Sequence, residues 1–523
     1  MRLPKSVEIS LIICLLLIGI VVSSAKILLQ SADIGRHLKN GEIIIKTRKI
    51  PQTNLYSYTY PEFPFTNHHW GSGVIFYLVH SFSGFTGLSV FFIFLNISTF
   101  YLFFKIAKRE SDFTSALLVS LLFIPVSLSR VEVRPEVFSY LFSGLIFWIL
   151  LTYKLNNLKI KWLFLIPLIE LLWINLHIYF FLGFFILSIF WLEAVIGSFI
   201  NKTRKIDNSS NNKTIKDIVI IGLISLAAVL VNPAGIKGML YPLNIFDNYS
   251  YPVSENVSVF VHDMFGYGKM TLSFKMVFAA SFFSWIIPMY KRKSVEIRNI
   301  IFYIFFSVLA WSATRNFAIF GLFATVTTAK NIKLLTGQEQ IIKDKITALF
   351  LVYSLFFLIV LVNFCANPAY WLSFFKYRAG IGLCNGVSAA EFIKKEEISG
   401  PIFNNYDIGG YLIYHLYPYE KVFVDNRPEA YPSDFFKKIY IPMQENEKVW
   451  QEVDDHLGFN VIVFNKLDGT DWARAFLSNR LNDSRWALVW TDEFTIIFVK
   501  RNENNKEVIE KYEYPKDALI RRY

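Results

Sequence analysis

Eleven apolar runs punctuate the chain, at 7–29, 86–104, 113–129, 136–153, 163–177, 178–199, 217–232, 271–290, 299–313, 316–329 and 346–365. Crossing about 30 Å of hydrocarbon takes roughly 20 helical residues, and somewhat fewer where a helix end is buried in protein, so each run reads as a transmembrane helix. The first follows Arg2 and Lys5, exceeds the apolar core of a secretory leader and has no small-residue cleavage site after it, which makes it a permanent anchor. Basic residues collect in alternate turns: Lys105, Lys108 and Arg109; Lys154, Lys159 and Lys161; Lys202, Arg204, Lys205, Lys213 and Lys216; Lys291, Arg292 and Lys293; Lys330, Lys333, Lys343 and Lys345. Basic loops stay on the cytoplasmic side, so the alternation predicts a cytoplasmic N-terminus. With an odd number of spans, the first loop (30–72), the loop at 233–270 and everything from 366 onward then lie outside.

Beyond 365 the pattern changes. Short β-type runs recur at Pro401–Phe403, Tyr411–His415, Lys421–Val424, Val461–Phe464, Trp486–Val489 and Thr495–Val499, with helical stretches near 388–397 and 446–457. Such alternation predicts a small α/β domain. The expected organisation is therefore a polytopic α-helical membrane domain over 1–365 and an extracytoplasmic α/β domain over 366–523. Composition agrees: 54% hydrophobic residues against 18% charged, with 52 Phe, 27 Tyr and 12 Trp, excludes disordered, collagenous and disulfide-framework classes. The mean hydropathy of +0.39 places the chain in a bilayer, and the membrane expected is the cytoplasmic or inner membrane of the cell. A net charge of +12 raises the question of nucleic acid, but residues 366–523 carry 20 basic and 23 acidic side chains. The whole surplus thus sits in the short loops of the membrane part, where it encodes orientation. Of the three cysteines, Cys14 lies in an apolar run, leaving only Cys365 and Cys384 able to pair.

Polar residues that interrupt this pattern collect at the outer boundary. Asp33 and His37 stand one helical turn apart where the first span ends. A carboxylate there can serve as a general base, or simply cap the helix that starts at Ile34. His68 and His69 offer imidazoles to a phosphate or to part of a metal site. Neighbouring residues on a helix point about 100° apart, however, so a metal needs extended backbone here and a carboxylate from elsewhere. Arg130 and Arg134, between two spans on the side where arginine is disfavoured, either pair with Glu132 and Glu136 or receive an anion, for which a guanidinium fork is suited. His177 ends the fifth run, Glu170 lies two turns before it, and Arg315 sits at the outer end of a span pair. Glu170 is a structural hydrogen-bond partner or part of a site lining. Clear midplane polar clusters and repeat symmetry, the usual marks of a transporter, are lacking.

The ordered series Asp33-Ile34-Gly35-Arg36-His37-Leu38, Gly41-Glu42, Ile50-Pro51, Tyr56-Ser57-Tyr58-Thr59, His68-His69-Trp70, Arg134-Pro135, Trp173-Ile174-Asn175-Leu176-His177, Asn232-Pro233-Ala234-Gly235 and Arg315-Asn316 resembles the polytopic glycosyltransferases of the GT-C superfamily, bacterial and archaeal. Asn405-Tyr406-Asp407-Ile408-Gly409-Gly410-Tyr411-Leu412 and Val424-Asp425-Asn426-Arg427-Pro428 look like that group's extracytoplasmic domain. The resemblance implies transfer of a sugar from a polyprenyl-phosphate donor to a glycan, lipid or protein acceptor outside the membrane. It puts Asp33 in the role of base in an inverting reaction. His37, His68, His69, Arg130, Arg134, His177 and Arg315 are then the candidates for substrate and phosphate binding. Similar proteins often have a carboxylate where His69 stands, and arginines can supply the charge a divalent metal would, so neither a metal nor another cofactor is assigned. Two alternatives remain: a transporter, flippase or polymerase-type protein for lipid-linked glycans, and a non-catalytic envelope protein whose tail binds glycan.

Overall fold

The structure, a computed structural model, describes residues 4–30, 33–155, 158–245, 251–291, 295–336, 362, 364–384 and 388–515. The chain forms two compact units, one built from 1–26, 89–235 and 252–381, the other from 27–88, 236–251 and 382–523.

Helices occupy the first ten apolar runs: Lys5–Ser23, Trp70–Glu110, Phe113–Ser127, Glu136–Lys154, Leu165–Leu176, Phe181–Thr203, Ser209–Ala228, Leu272–Ser284, Ile297–Ser312 and Phe317–Thr336. The eleventh expected span, 346–365, lies largely outside the described residues. Among the described residues, five helical segments are long and apolar enough to cross a membrane: Lys5–Ser23, Trp70–Glu110, Glu136–Lys154, Ile178–Thr203 and Leu272–Tyr290. Trp70–Glu110 starts well before the expected 86, and Gly84 breaks it with φ 63° and ψ −164°, a backbone that residues with a Cβ rarely adopt.

The first unit is packed by aromatic rings. Phe323 lies 3.9 Å from Phe306 and 5.6 Å from Phe147, centroid to centroid, both stacked. Arg298, 1% exposed, pairs with Glu110 at 2.9 Å and Glu296 at 2.5 Å, and Lys330 joins both carboxylates at 2.7 and 2.6 Å. This network ties together Trp70–Glu110, Ile297–Ser312 and Phe317–Thr336, which a buried charge requires if it is to remain ionised. No disulfide joins Cys365 to Cys384, the one pairing open to the sequence.

In the second unit β1 (Ile402–Asn404), β2 (Val461–Asn465), β3 (Trp486–Thr491) and β4 (Thr495–Lys500) form one sheet in the order β1-β2-β4-β3. The β1–β2 pair is parallel, with Phe403 opposite Ile462; the other pairs are antiparallel. β2 is buried on both faces because helices cover both. Trp450 and Phe476, on helices Glu447–Leu457 and Asp471–Asn482, each meet Phe403 at 4.9 Å, while Phe392, on helix Ala389–Lys395, meets Trp490 at 4.9 Å.

Two expected strands are not strands. Tyr411–His415 lies in helix Gly409–Leu416, because Gly409 and Gly410 let the backbone turn against its neighbours: a Cβ at Gly409 would stand 2.5 Å from the Cα of Asp425. Lys421–Val424 stays outside the sheet and instead pairs with the first loop, Tyr58 N–H donating to the Val422 carbonyl at 3.2 Å and Val422 N–H to that of Tyr56 at 3.1 Å. Helix Ile34–Thr47 is clamped in the same unit. A Cβ at Gly35 would sit 2.6 Å from the carbonyl oxygen of Gly410, and one at Gly41 would sit 2.1 Å from that of Gly73.

Candidate functional site

The candidate residues fall into two groups, Asp33, His37, His68 and His69 in the second unit and Arg130, Arg134, His177 and Arg315 in the first. Asp33 occupies the N-cap position of Ile34–Thr47, but its side chain makes no capping hydrogen bond and its backbone is already helical, with φ −66° and ψ −14°. The capping reading therefore fails, and the carboxylate faces elsewhere. Its Oδ1 accepts a short hydrogen bond from the amide of Asn426. Arg36, on the next turn of sequence, donates through Nε to Asn426 Oδ1 at 3.2 Å. A guanidinium only donates, so this contact fixes which end of the Asn426 amide faces Arg36 and leaves the NH₂ for Asp33.

Asn426 is held by its neighbours. Arg427, 2% exposed, donates Nε to Asp425 Oδ1 at 2.7 Å and Nη2 to Asp425 Oδ2 and to Asn54 Oδ1, both at 2.6 Å. Its guanidinium lies over the rings of Tyr56 and Phe65, at 4.9 and 4.7 Å. Burial opposes a charged Arg427, but the Asp425 carboxylate outweighs it and raises the affinity of the guanidinium for its proton. The charged turn after Val424 is thus an internal brace.

The three histidines form a cluster. His37, buried at 2% exposure, packs edge-on to His69 at 5.5 Å, and His69 lies 3.8 Å from His68, which in turn lies 5.0 Å from Tyr241. His68 Nδ1, 3.1 Å from the Thr66 carbonyl, must donate, so the neutral ring presents Nε2 as an acceptor.

In the first unit, four guanidinium groups interleave with three carboxylates. Arg130 pairs with Glu136 and, at 2.7 Å, with Glu255; Arg134 pairs with Glu132 at 3.0 Å and with Glu255; Arg378 reaches Glu132 at 3.3 Å. Arg315 donates to Asn256 at 3.0 Å and reaches Glu136 at 3.4 Å. Of the two readings open for Arg130 and Arg134, pairing with carboxylates is the one observed, with Glu255 as an added partner. Burial by itself would push Glu255 and Glu132 up. The surrounding guanidinium charges outweigh it, Arg130, Arg134 and Arg315 for Glu255 and Arg134, Arg378 and Arg130 for Glu132, and both carboxyls are held below the ordinary range. Among the described residues of this group one positive charge is in excess.

His177 ends helix Leu165–Leu176 in extended backbone. Trp173 Nε1 donates to Ser139 Oγ at 2.7 Å, so the hydroxyl proton turns to His177 Nδ1, also at 2.7 Å, where the Tyr179 N–H points too at 3.4 Å. Nδ1 is the acceptor, and the neutral ring carries its proton on Nε2. Glu170 is fully buried and packs on Gly183, where a Cβ would stand 1.7 Å from its Oε1. Neither of its oxygens has a hydrogen-bond partner among the described residues, so it is not the structural hydrogen-bond partner that one reading made it.

Among solved structures, the chain is similar to the archaeal oligosaccharyltransferase AglB from Archaeoglobus fulgidus, in complex with an inhibitory peptide and a dolichol-phosphate, at 12% identity over 95% of this chain and 74% of that one, with a TM-score of 0.55. It is likewise similar to ArnT from Cupriavidus metallidurans in the apo state, at 10% identity over 96% of this chain and 99% of that one, with a TM-score of 0.51. The chain shares its fold with these two proteins. No family model matches the sequence, and no curated protein matches it. The likeness is thus carried by backbone architecture, at an identity where side chains have diverged.

Reading the sequence overlooked Glu255, Asn426 and Ser139. Glu255 is the one glutamate in the loop 233–270. The signal that points to it is the presence of Arg130 and Arg134 between two apolar runs, which need a counter-charge from somewhere. Asn426 and Ser139 carry no such signal, since an amide and a hydroxyl are ordinary at any position. Among the described residues no three His, Cys, Asp or Glu side chains are grouped so as to hold a metal ion.

Proposed function

We propose that the protein transfers a sugar from a polyprenyl-phosphate donor to an acceptor outside the membrane, a glycan, lipid or protein, with Asp33 as general base. The observation that carries the reading is Asp33 itself, a carboxylate that starts a helix without capping it and accepts a hydrogen bond from an oriented amide, in a chain with the GT-C fold. In an inverting transfer the acceptor hydroxyl loses its proton as its oxygen bonds to the anomeric carbon, while the bond to the carrier phosphate breaks. Asp33 takes the proton, and the phosphate departs with the electron pair. Arg130, Arg134 and Arg315 are assigned to that anion through charge-assisted hydrogen bonds, in a group that with Arg378 carries one positive charge in excess among the described residues, and His177 adds an Nε2–H donor. His37, His68 and His69 are assigned to substrate binding. The membrane unit also has an apolar groove of about 520 Å³, lined by Phe260, Phe278, Phe282, Ile304, Val308 and Trp311, of a size and character for isoprenoid units. No step is routed through a metal.

The test uses purified full-length protein with undecaprenyl-phosphate-linked tritiated glucose, mannose and galactose in parallel, and envelope extract as acceptor. Asp33→Asn keeps size and much of the hydrogen bonding but cannot take a proton, so transfer falls by roughly 10²–10⁴-fold while binding of undecaprenyl phosphate, read by native mass spectrometry, is retained. Arg134→Ala instead weakens that binding. Near-normal turnover by a folded Asp33→Asn protein removes the base assignment.

A further inference from the structure

We propose that Asn426, in the C-terminal part of the chain, is a positioning residue that holds the Asp33 carboxylate in its working orientation. The inference rests on Asp33 being the base and names the group through which the tail acts on it. Three observations converge. Asn426 donates to Asp33 Oδ1 and accepts from Arg36 Nε, so its amide has one orientation only. The residues on both sides of it, Asp425 and Arg427, form a buried ion pair that is further tied to Asn54. The stretch just before it is stitched to the first loop: Ser57 Oγ and Thr59 Oγ1 both donate to the Phe423 carbonyl, at 3.1 and 3.0 Å.

A surface asparagine that merely filled space would not be fastened this way. Asp33 sits at the first turn of its helix without a capping bond, and the hydrogen bond from the fixed Asn426 amide restricts its two side-chain torsions. An amide is a suitable holder because it donates to a carboxylate without neutralising it, whereas a lysine or arginine in direct contact would form an ion pair and draw the base away from its proton. Arg36 donates to the same amide and polarises it, which strengthens the hydrogen bond that Asn426 gives to Asp33. The tail thereby contributes to the reaction without touching substrate.

The experiment is a double-mutant cycle on the full-length protein, using the lipid-linked hexose that the wild type transfers. Asn426→Ala is expected to lower kcat by about 10- to 100-fold, as a misplaced reacting group does, with the donor KM within about twofold. Placed in the Asp33→Asn background it adds no further loss, because it acts through the carboxylate that is already gone. Losses that multiply in the double variant, or a kcat unchanged in Asn426→Ala, overturn the inference. Asn426→Asp is the same size and lacks the donor, so it keeps the question answerable if the alanine variant misfolds: its kcat falls at least as far, and wild-type turnover in it also overturns the inference. The two readings separate cleanly. An active Asp33→Asn protein removes the base, whereas an inactive Asp33→Asn protein with a fully active Asn426→Ala removes only the positioning role.

Discussion

His415 shows how a single side chain records its surroundings. It lies on helix Gly409–Leu416 against Tyr411 and Tyr414, at ring distances of 4.7 and 4.8 Å. Burial first, then the charges of Lys394 and Lys39, lowers its imidazole from 6.5 to about 4. The folded protein keeps this ring neutral where the unfolded chain, titrating near 6.5, would bind a proton. Its contribution to stability is therefore full above about pH 6.5 and declines as pH falls toward 4. The thermal midpoint of the detergent-solubilised protein is expected to drop between pH 7 and pH 5, and His415→Gln to drop less over the same interval. Parallel slopes for the two proteins would assign the pH dependence to other groups. Asp33 teaches the complementary lesson: its residue type and position allowed both a cap and a base, and the direction of its side chain removes the cap.

Between elements, close backbone approach sets the architecture of the second unit. Helices Ile34–Thr47 and Gly409–Leu416 meet at Gly35 and Gly410, where the nearest atom to an added Cβ is a backbone carbonyl that cannot swing aside. Gly35→Ala is expected to destabilise by about 1–3 kcal/mol through overpacking, seen as a lowered thermal midpoint. Gly222→Ala on helix Ser209–Ala228 is the matched control, since nothing lies within 4 Å of a Cβ there. It should leave the midpoint unchanged or slightly raised, as alanine favours helix. If the two substitutions behaved alike, close approach at Gly35 would not be what holds these helices. The pairing of 421–424 with the first loop belongs to this scale too: a run with strand composition found its hydrogen-bond partner in a loop instead of in the sheet.

For the whole molecule, the alternation of basic loops makes a prediction about orientation. Epitope tags at position 1 and within 207–213 are expected to be cytoplasmic, and a tag at 523 extracytoplasmic. A C-terminal tag shielded from added protease in intact protoplasts would overturn the eleven-span count. The two compact units interleave along the chain, the second being assembled from 27–88, 236–251 and 382–523. The loop 27–88 and residues 382–523 therefore share one core.

The sequence by itself determined what depends on local pattern and composition: the helical membrane part and a small sheet domain after it. Apolar runs of membrane length admit few other conformations, because buried backbone must satisfy its own hydrogen bonds within the helix. It also carried the resemblance to GT-C enzymes, through the order of short motifs. Only the tertiary structure decided which side chains meet. That Asp33 is held by Asn426, 393 residues away, that Glu255 bridges Arg130 and Arg134, and that Ser139 sets the tautomer of His177 are long-range facts. No local periodicity encodes them. The helix at Gly409–Leu416 was misread for the same reason: Tyr411, Ile413 and Tyr414 have strand-like composition, and propensity yields where glycines and a neighbouring backbone make a helix the conformation that packs.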